Sequence, residues 1–342
     1  MAGLGWVEPL RQYVEAGHDP DQLDFCGRSP IFIGAAAGHV NVLKCLAELG
    51  ARIGELPDRM GRTPLHAAAY YGQSPCIELL INKLRENVHS VDHFGKTPLH
   101  LATEMGNTNE CETLLKLRAE PEIVDLHGDT PLKVAVRVGH KAVLNFLVGQ
   151  GCDYMSRDGD GCTALHIATF SERLNCIQEL VLMGVDVDIA DNHGLTPLHF
   201  SARHGVPSAC RLLLTLKANP AKQNSNGQSA LHLAAQSNQI EVIEALADAR
   251  CDLNNVDEKG YTAMHAAVVS DLPDAALKLI DVGAKKNMRT NEEDTCLHLA
   301  AKKGLSNMII SLLRGKCDPN LPSTRGQTPL HVLEKNLPGI FR

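Results

Sequence analysis

Eight histidines stand at the fourth position of a recurring Thr/Ser-x-x-His stretch: His66, His100, His166, His199, His232, His265, His298 and His331. So much imidazole at one spacing could form a metal ladder or a proton relay. Eleven cysteines add thiols, and "DGDG" at Asp158 to Gly161 resembles the opening of a calcium loop. Spacing argues against each chemistry. Equivalent side chains on packed neighbouring helices lie at least about 8–10 Å apart, whereas each ligand of one zinc sits about 2 Å from it. The histidine row is therefore expected to be architecture, a hydrogen bond repeated near each helix start.

The other candidates fare alike. Cys152, Cys251 and Cys317 share one recurring position that suits a small side chain. Cys45, Cys76, Cys111, Cys176 and Cys210 fall at core spacing on helices, with no base beside them to make a catalytic dyad. The DGDG stretch lacks the further oxygen ligands and the terminal glutamate of a calcium loop. No GxxxxGK[ST], strand-linked GxGxxG, HExxH or GxSxG occurs. The expectation is no catalytic residue, no cofactor and no metal: a chain that is not an enzyme.

What positions these residues is a tandem repeat. The element [ST]-x-[LIM]-x begins at Ser29, Thr63, Thr97, Thr130, Thr163, Thr196, Ser229, Thr262, Thr295 and Thr328, with two spacings of 34 residues followed by seven of 33. Length alone would suggest two globular domains, but a constant period points to one array growing by addition of units. In "DRMGRTPLHAAAYYGQSPCIELLI", Thr63 suits an N-cap and Pro64 the first helical position. Leu65, Ala68 and Ala69 form an apolar stripe, and Gly72 suits the left-handed residue ending the helix. Ile77, Leu80 and Ile81 predict a second helix. Upstream, Asp58-x-x-Gly61 is a tight-turn signature. Each repeat thus reads as turn, short helix, short helix, loop.

The 33-residue period and Thr-Pro-Leu-His-x-Ala together resemble ankyrin repeats, from about Val7 to His331. The resemblance implies an all-α repeat fold: a curved solenoid of helix-turn-helix units, with β-turn or hairpin fingers and first helices lining a concave groove. Residues 1–27 are expected to be a partial repeat, second helix and finger only. Residues 28–342 are the array, its last repeat incomplete. Departures are visible. Glu293 replaces the finger glycine of repeat nine, and Glu172, Asn238 and Asp271 replace the glycine after the first helix. Pro273 opens a second helix, and Phe32 and Lys133 replace the histidine. The joints near repeats eight and nine are expected to be weakest. Trp6, Val7 and Leu10 at one end, and Ile340 and Phe341 beyond Pro338 at the other, read as uncovered apolar residues. That pattern suggests a piece of a longer array.

Composition narrows the partners. The formal charge of −7 offers no basic field for nucleic acid, and no apolar run reaches membrane-spanning length. The odd cysteine count and the lack of a signal peptide suggest reduced thiols in the cytoplasm, or in the nucleus. The resemblance places binding in the slots that the repeat leaves free: the finger tips and the end of each first helix. Here these hold Arg59, Met60, Tyr70, Tyr71, His93, Phe94, Met105, Leu126, His127, Arg137, Phe170, His193, Arg203 and His204. Their aromatic, methionine and arginine types dominate interfaces, with Arg137 and Arg203 expected to steer an acidic segment. The groove histidines would make binding respond to pH between about 6 and 7. Asn254, ending "LADARCDLN", resembles the asparagine hydroxylated in some ankyrin repeats, and Asn287 and Asn320 match less well. The expected role is a monomeric scaffold for proteins or peptide segments. The alternative is the targeting region of a larger signalling protein or enzyme, of death-domain, ubiquitin-ligase-adaptor or channel type.

Overall fold

The structure, a computed structural model, describes residues 1–336. Among them are twenty α-helices, one short 3-10 helix (Ala2–Leu4) and no strand. The chain divides into two compact bodies, Met1–Gly159 and Asp160–Arg342. In the first, α1 (Val7–Glu15) precedes four helix pairs: α2 and α3 (Pro30–Ala36, Val40–Glu48), α4 and α5 (Pro64–Tyr70, Ser74–Asn82), α6 and α7 (Pro98–Glu104, Thr108–Lys116), α8 and α9 (Pro131–Val138, Lys141–Gly149). In the second, the pairs are α10 and α11 (Ala164–Phe170, Leu174–Leu182), α12 and α13 (Pro197–His204, Pro207–Thr215), α14 and α15 (Ala230–Gln236, Ile240–Asp248), α16 and α17 (Ala263–Val269, Pro273–Asp281), α18 and α19 (Cys296–Lys303, Ser306–Arg314). There α20 (Pro329–Asn336) follows. Within each body, first helices stack on first helices and second on second.

Local chemistry explains the pairs. First helices are seven or eight residues long, too short to persist alone in water. Thr or Ser caps them; Ser29 Oγ, for example, accepts from Phe32 N at 3.3 Å. Alanines keep the stack close: Ala68 and Ala69 are fully buried beside Leu65. On α5, Ile77 and Leu80 are buried while Ile81 is only half-buried. Truncating a core leucine such as Leu65 to alanine would cost about 2–5 kcal/mol.

The fingers are closed by the aspartate. Asp58 Oδ1 accepts from Met60 N and Arg62 N, each at 2.9 Å, while Gly61 N donates to the Asp58 carbonyl. Asp92, Asp125, Asp191 and Asp257 repeat the motif, and Asn224 copies it with its amide oxygen. Successive fingers are then joined by one backbone bond each: Arg59 N to Cys26 O, His93 N to Met60 O and Leu126 N to Phe94 O in the first body. The second body adds Asn192 N to Asp160 O, Ser225 N to His193 O, Glu258 N to Asn226 O and Asn291 N to Lys259 O.

Finger glycines are needed twice over. Gly227 has φ +73°, and a Cβ there would lie 2.7 Å from Glu258 N on the next finger. The substituted positions keep the left-handed backbone: Glu172 (φ 57°), Asn238 (56°), Asp271 (54°) and Glu293 (64°). Such a conformation costs a residue with a Cβ about 1–2 kcal/mol. Five basic residues share it: Arg85, Arg118, Lys217, Arg250 and Lys316. They follow second helices, where other repeats place Gly17, Gly50, Gly151, Gly184 or Gly283. A positive charge suits the negative end of a helix dipole.

The ends differ from expectation in part. The 3-10 helix Ala2–Leu4 packs on α2, with Ala2 buried, so α1 does not begin the fold. Trp6 is 54% exposed as expected, but Leu10 is buried. Pro338, Ile340 and Phe341 lie outside the described residues.

At Glu293 the finger ladder stops: no bond joins Thr324 N to the Glu292 carbonyl, although the equivalent bond is made on the preceding finger. Glu293 itself forms only an exposed pair with Arg289, which is worth little. Glu293→Gly should therefore stabilise the joint between repeats nine and ten by about 1 kcal/mol. Hydrogen exchange of amides in α18–α20 should slow in the variant. Unchanged or faster exchange would contradict this account of the joint.

Candidate partner-binding surface

The histidine row sets what is free to bind. Thr63 N donates to His66 Nδ1 at 3.2 Å, so that nitrogen is the acceptor and the proton sits on Nε2. Nε2 donates to the carbonyl of Lys96 in the next repeat at 3.0 Å. His100 does the same to Asp129 O, His166 to Leu195 O, His199 to Gln228 O, His232 to Tyr261 O and His298 to Gln327 O, all at 2.8–3.0 Å. Both nitrogens are committed, which leaves no lone pair for a metal. Burial lowers the pKa of His66, His100, His199 and His232, because a second proton would face the Thr or Ser amide in a dry site. His265 departs: its buried Nε2 makes no well-formed hydrogen bond, although the Met288 and Asp294 backbone still favours its proton, and burial drives its pKa down to about 4. The following finger is the one that carries Glu293 in place of its glycine. Phe32 and Lys133, which take the histidine slot elsewhere, are both buried.

Six of the cysteines are equally inert. Burial pushes Cys76 up to about 11 and Cys111 and Cys210 up to about 12. Cys152, Cys251 and Cys317, on the shared position, reach about 11. Thiols held protonated are poor nucleophiles.

What remains is the set of free slots. On the first body Tyr71, Phe94, Met60, Met105 and Leu126 are exposed, Leu126 the most at 75%. Tyr70 is half-buried and meets Tyr71 edge-to-face, with centroids 4.9 Å apart. Some tip residues also lean on the preceding finger: the His93 ring covers Gly61, Leu126 covers Gly95, and the Arg59 stem covers Gly27. Arg59, His93 and His127 are exposed. Arg137, expected to steer an acidic segment, instead binds the carboxylate of Asp129, eight residues before it, with Nε at 2.9 Å. Its charge is neutralised inside its own repeat.

On the second body Phe170 is exposed and meets His204 edge-to-face at 4.7 Å. Burial against its neighbours and the nearby Arg203 charge lower the His204 pKa. His193 and Arg203 are exposed beside a polar pocket of about 410 Å³. Asn254 is half-buried, and its side-chain oxygen accepts from Lys285 N at 2.8 Å, as Asn287 accepts from Asp318 N. These asparagines tie one repeat to the next.

This arrangement, a period set by capped histidines and fingers joined by backbone bonds, has a family match over most of the chain. Models described as ankyrin repeats in three copies match residues 4–92, 84–158, 143–224 and 207–290, and one described as many copies matches 284–333. The chain belongs to the ankyrin-repeat family. Its structure is similar to the crystal structure of the ankyrin repeat domain of Bcl-3, a member of the IkappaB protein family. That match has TM-score 0.55 and 27% identity, and covers 60% of this chain and 94% of that one. A putative E3 ubiquitin-protein ligase, XBAT31 of Arabidopsis thaliana, is 35% identical over 24% of this chain and 18% of its own length. Protein phosphatase 1 regulatory subunit 12A of Mus musculus is 33% identical over 23% of this chain and 8% of its own length. The chain thus spans under a fifth of those relatives. Ankyrin repeats are non-catalytic modules that generally mediate protein–protein interaction.

One residue escaped the sequence reading. Glu86 occupies the slot filled elsewhere by Ala51, Ala119, Cys152, Val185, Ala218, Cys251, Ala284 and Cys317, small apolar side chains. It is 7% exposed; Oε1 accepts from Leu65 N at 3.1 Å and Oε2 has no partner. Burial raises its pKa to about 7, offset in part by the Thr63 hydroxyl and the Leu65 amide. The signal was present in the column of small residues, but an isolated glutamate reads as surface.

Two opposed pH effects follow. Lowered histidine pKa values give stability that is complete above about pH 6.5 and lost as pH falls below it. The raised Glu86 pKa gives stability that is complete below about pH 4.5 and lost as pH rises to about 7. Glu86→Ala should therefore raise stability, read as a rising thermal midpoint, increasingly between pH 5 and 7.5, by up to about 3 kcal/mol at the top of that window. A gap that does not grow with pH would mean that Glu86 titrates normally.

Proposed function

We propose that this chain is an interaction scaffold that grips extended protein segments with its finger tips and first-helix ends. The observation that carries the reading is the exposed set Met60, Tyr71, Phe94, Met105 and Leu126. Their side chains are left exposed although the backbones of Met60, Phe94 and Leu126 join the fingers. Large rigid rings and methionines supply contact area at low entropic cost. Reduced, buried thiols suit a cytoplasmic or nuclear setting. A regulatory role within a larger protein is the second reading. It is supported by the similarity to short stretches of a ubiquitin ligase and a phosphatase regulatory subunit. In either case the chain works as a monomeric array and binds proteins rather than nucleic acid.

The test is affinity capture from cell extract with the wild-type chain beside a Tyr71→Ala/Phe94→Ala variant. Proteins retained by the wild type should be lost from the variant. Its thermal midpoint should move little, because both side chains are exposed. An unchanged set of captured proteins would overturn the placement.

A further inference from the structure

In three repeats the charges in the free slots pair within the repeat. The residue after the finger glycine and the residue eight positions later face one another across the first helix. Lys96 meets Glu104 at 2.6 Å, Asp129 binds Arg137, and Asp294 binds Lys302. Repeat six has no such pair. Its two slots hold Leu195 and Arg203, so no carboxylate faces the guanidinium from the opposite slot, and it forms no ion pair among the described residues.

Arg203 borders the polar pocket of about 410 Å³ noted above. The rim carries His193, Ser225, Asn226, Gln228 and Gln236. No carboxylate lines it. The side chains of Ser225, Asn226 and Gln236 donate no hydrogen bond to any described residue, so their donors are unspent. Buried Leu195 and Leu233 form an apolar floor. A guanidinium, two amides and a hydroxyl converging without a counter-charge is a donor set that lacks its acceptor.

We propose that this pocket receives an aspartate or glutamate side chain of an extended partner segment, with its carboxylate on Arg203 and its methylenes on Leu195 and Leu233. The proposal rests on the scaffold reading and gives it a chemical preference. A fork-like guanidinium offers a carboxylate two parallel donors, and the amides take the remaining lone pairs. A neutral glutamine in the same place would leave the arginine uncompensated.

A phage-displayed library of 12-residue peptides selected on the full chain tests this. The enriched peptides should share an acidic position. Changing that residue to its amide should weaken binding about tenfold or more, as should Arg203→Gln. The two changes together should cost little more than either alone. Arg203→Lys should keep part of the affinity, and Arg137→Gln, at the paired arginine, should leave it unchanged. Peptides that bind through Tyr71 and Phe94 yet ignore Arg203→Gln would overturn the acidic pocket and leave the scaffold standing. A variant that weakens acid and amide peptides equally, or a preference for phosphoserine over glutamate, would also overturn it. Enrichment of no peptide would remove both readings.

Discussion

The structure depends on a single-proton imidazole clamped between two repeats. Nδ1 accepts from the capping residue of its own repeat, and Nε2 donates to the backbone of the next. Each clamp satisfies a buried carbonyl that would otherwise carry a desolvation penalty of about 1–3 kcal/mol. It also fixes the tautomer, so the histidine is spent structurally and cannot serve as an acid, a base or a ligand. The same bond that builds the array removes six obvious candidates from its chemistry.

Fingers add a second line of attachment parallel to the first. Their glycines permit both the left-handed turn and the close approach of the next backbone. The two lines weaken at neighbouring places. The His265 clamp onto repeat nine is poorly formed, and the ladder breaks just beyond, at the finger of Glu293. Both places adjoin the finger that carries Glu293 in place of glycine. A repeat array whose stability is a sum of nearest-neighbour terms should open first at such a place.

Function then belongs to whatever neither line consumes. The exposed rings of the first body supply apolar contact area, and pairing across the slots neutralises the charges of three repeats. An arginine left without a carboxylate therefore stands out more than an arginine alone would. Glu86 shows the converse: a charge placed where the fold asks for an alanine, kept by one amide and the proton that burial helps it hold.

The repeat period, the helix boundaries, the finger turns and the structural role of the histidines were all legible in the sequence, because each rests on local rules: caps, proline at the first turn, left-handed glycines. The departures at Glu172, Asn238, Asp271 and Glu293 were visible for the same reason. Tertiary structure alone decided which slot residues are free. Arg137 and Arg203 look alike in sequence, yet one meets Asp129 and the other meets leucine, because eight residues of chain bring a finger back over its own helix. Burial of Glu86, and the poorly formed His265 clamp, likewise depend on how the neighbouring repeat is packed, which no window of local sequence contains.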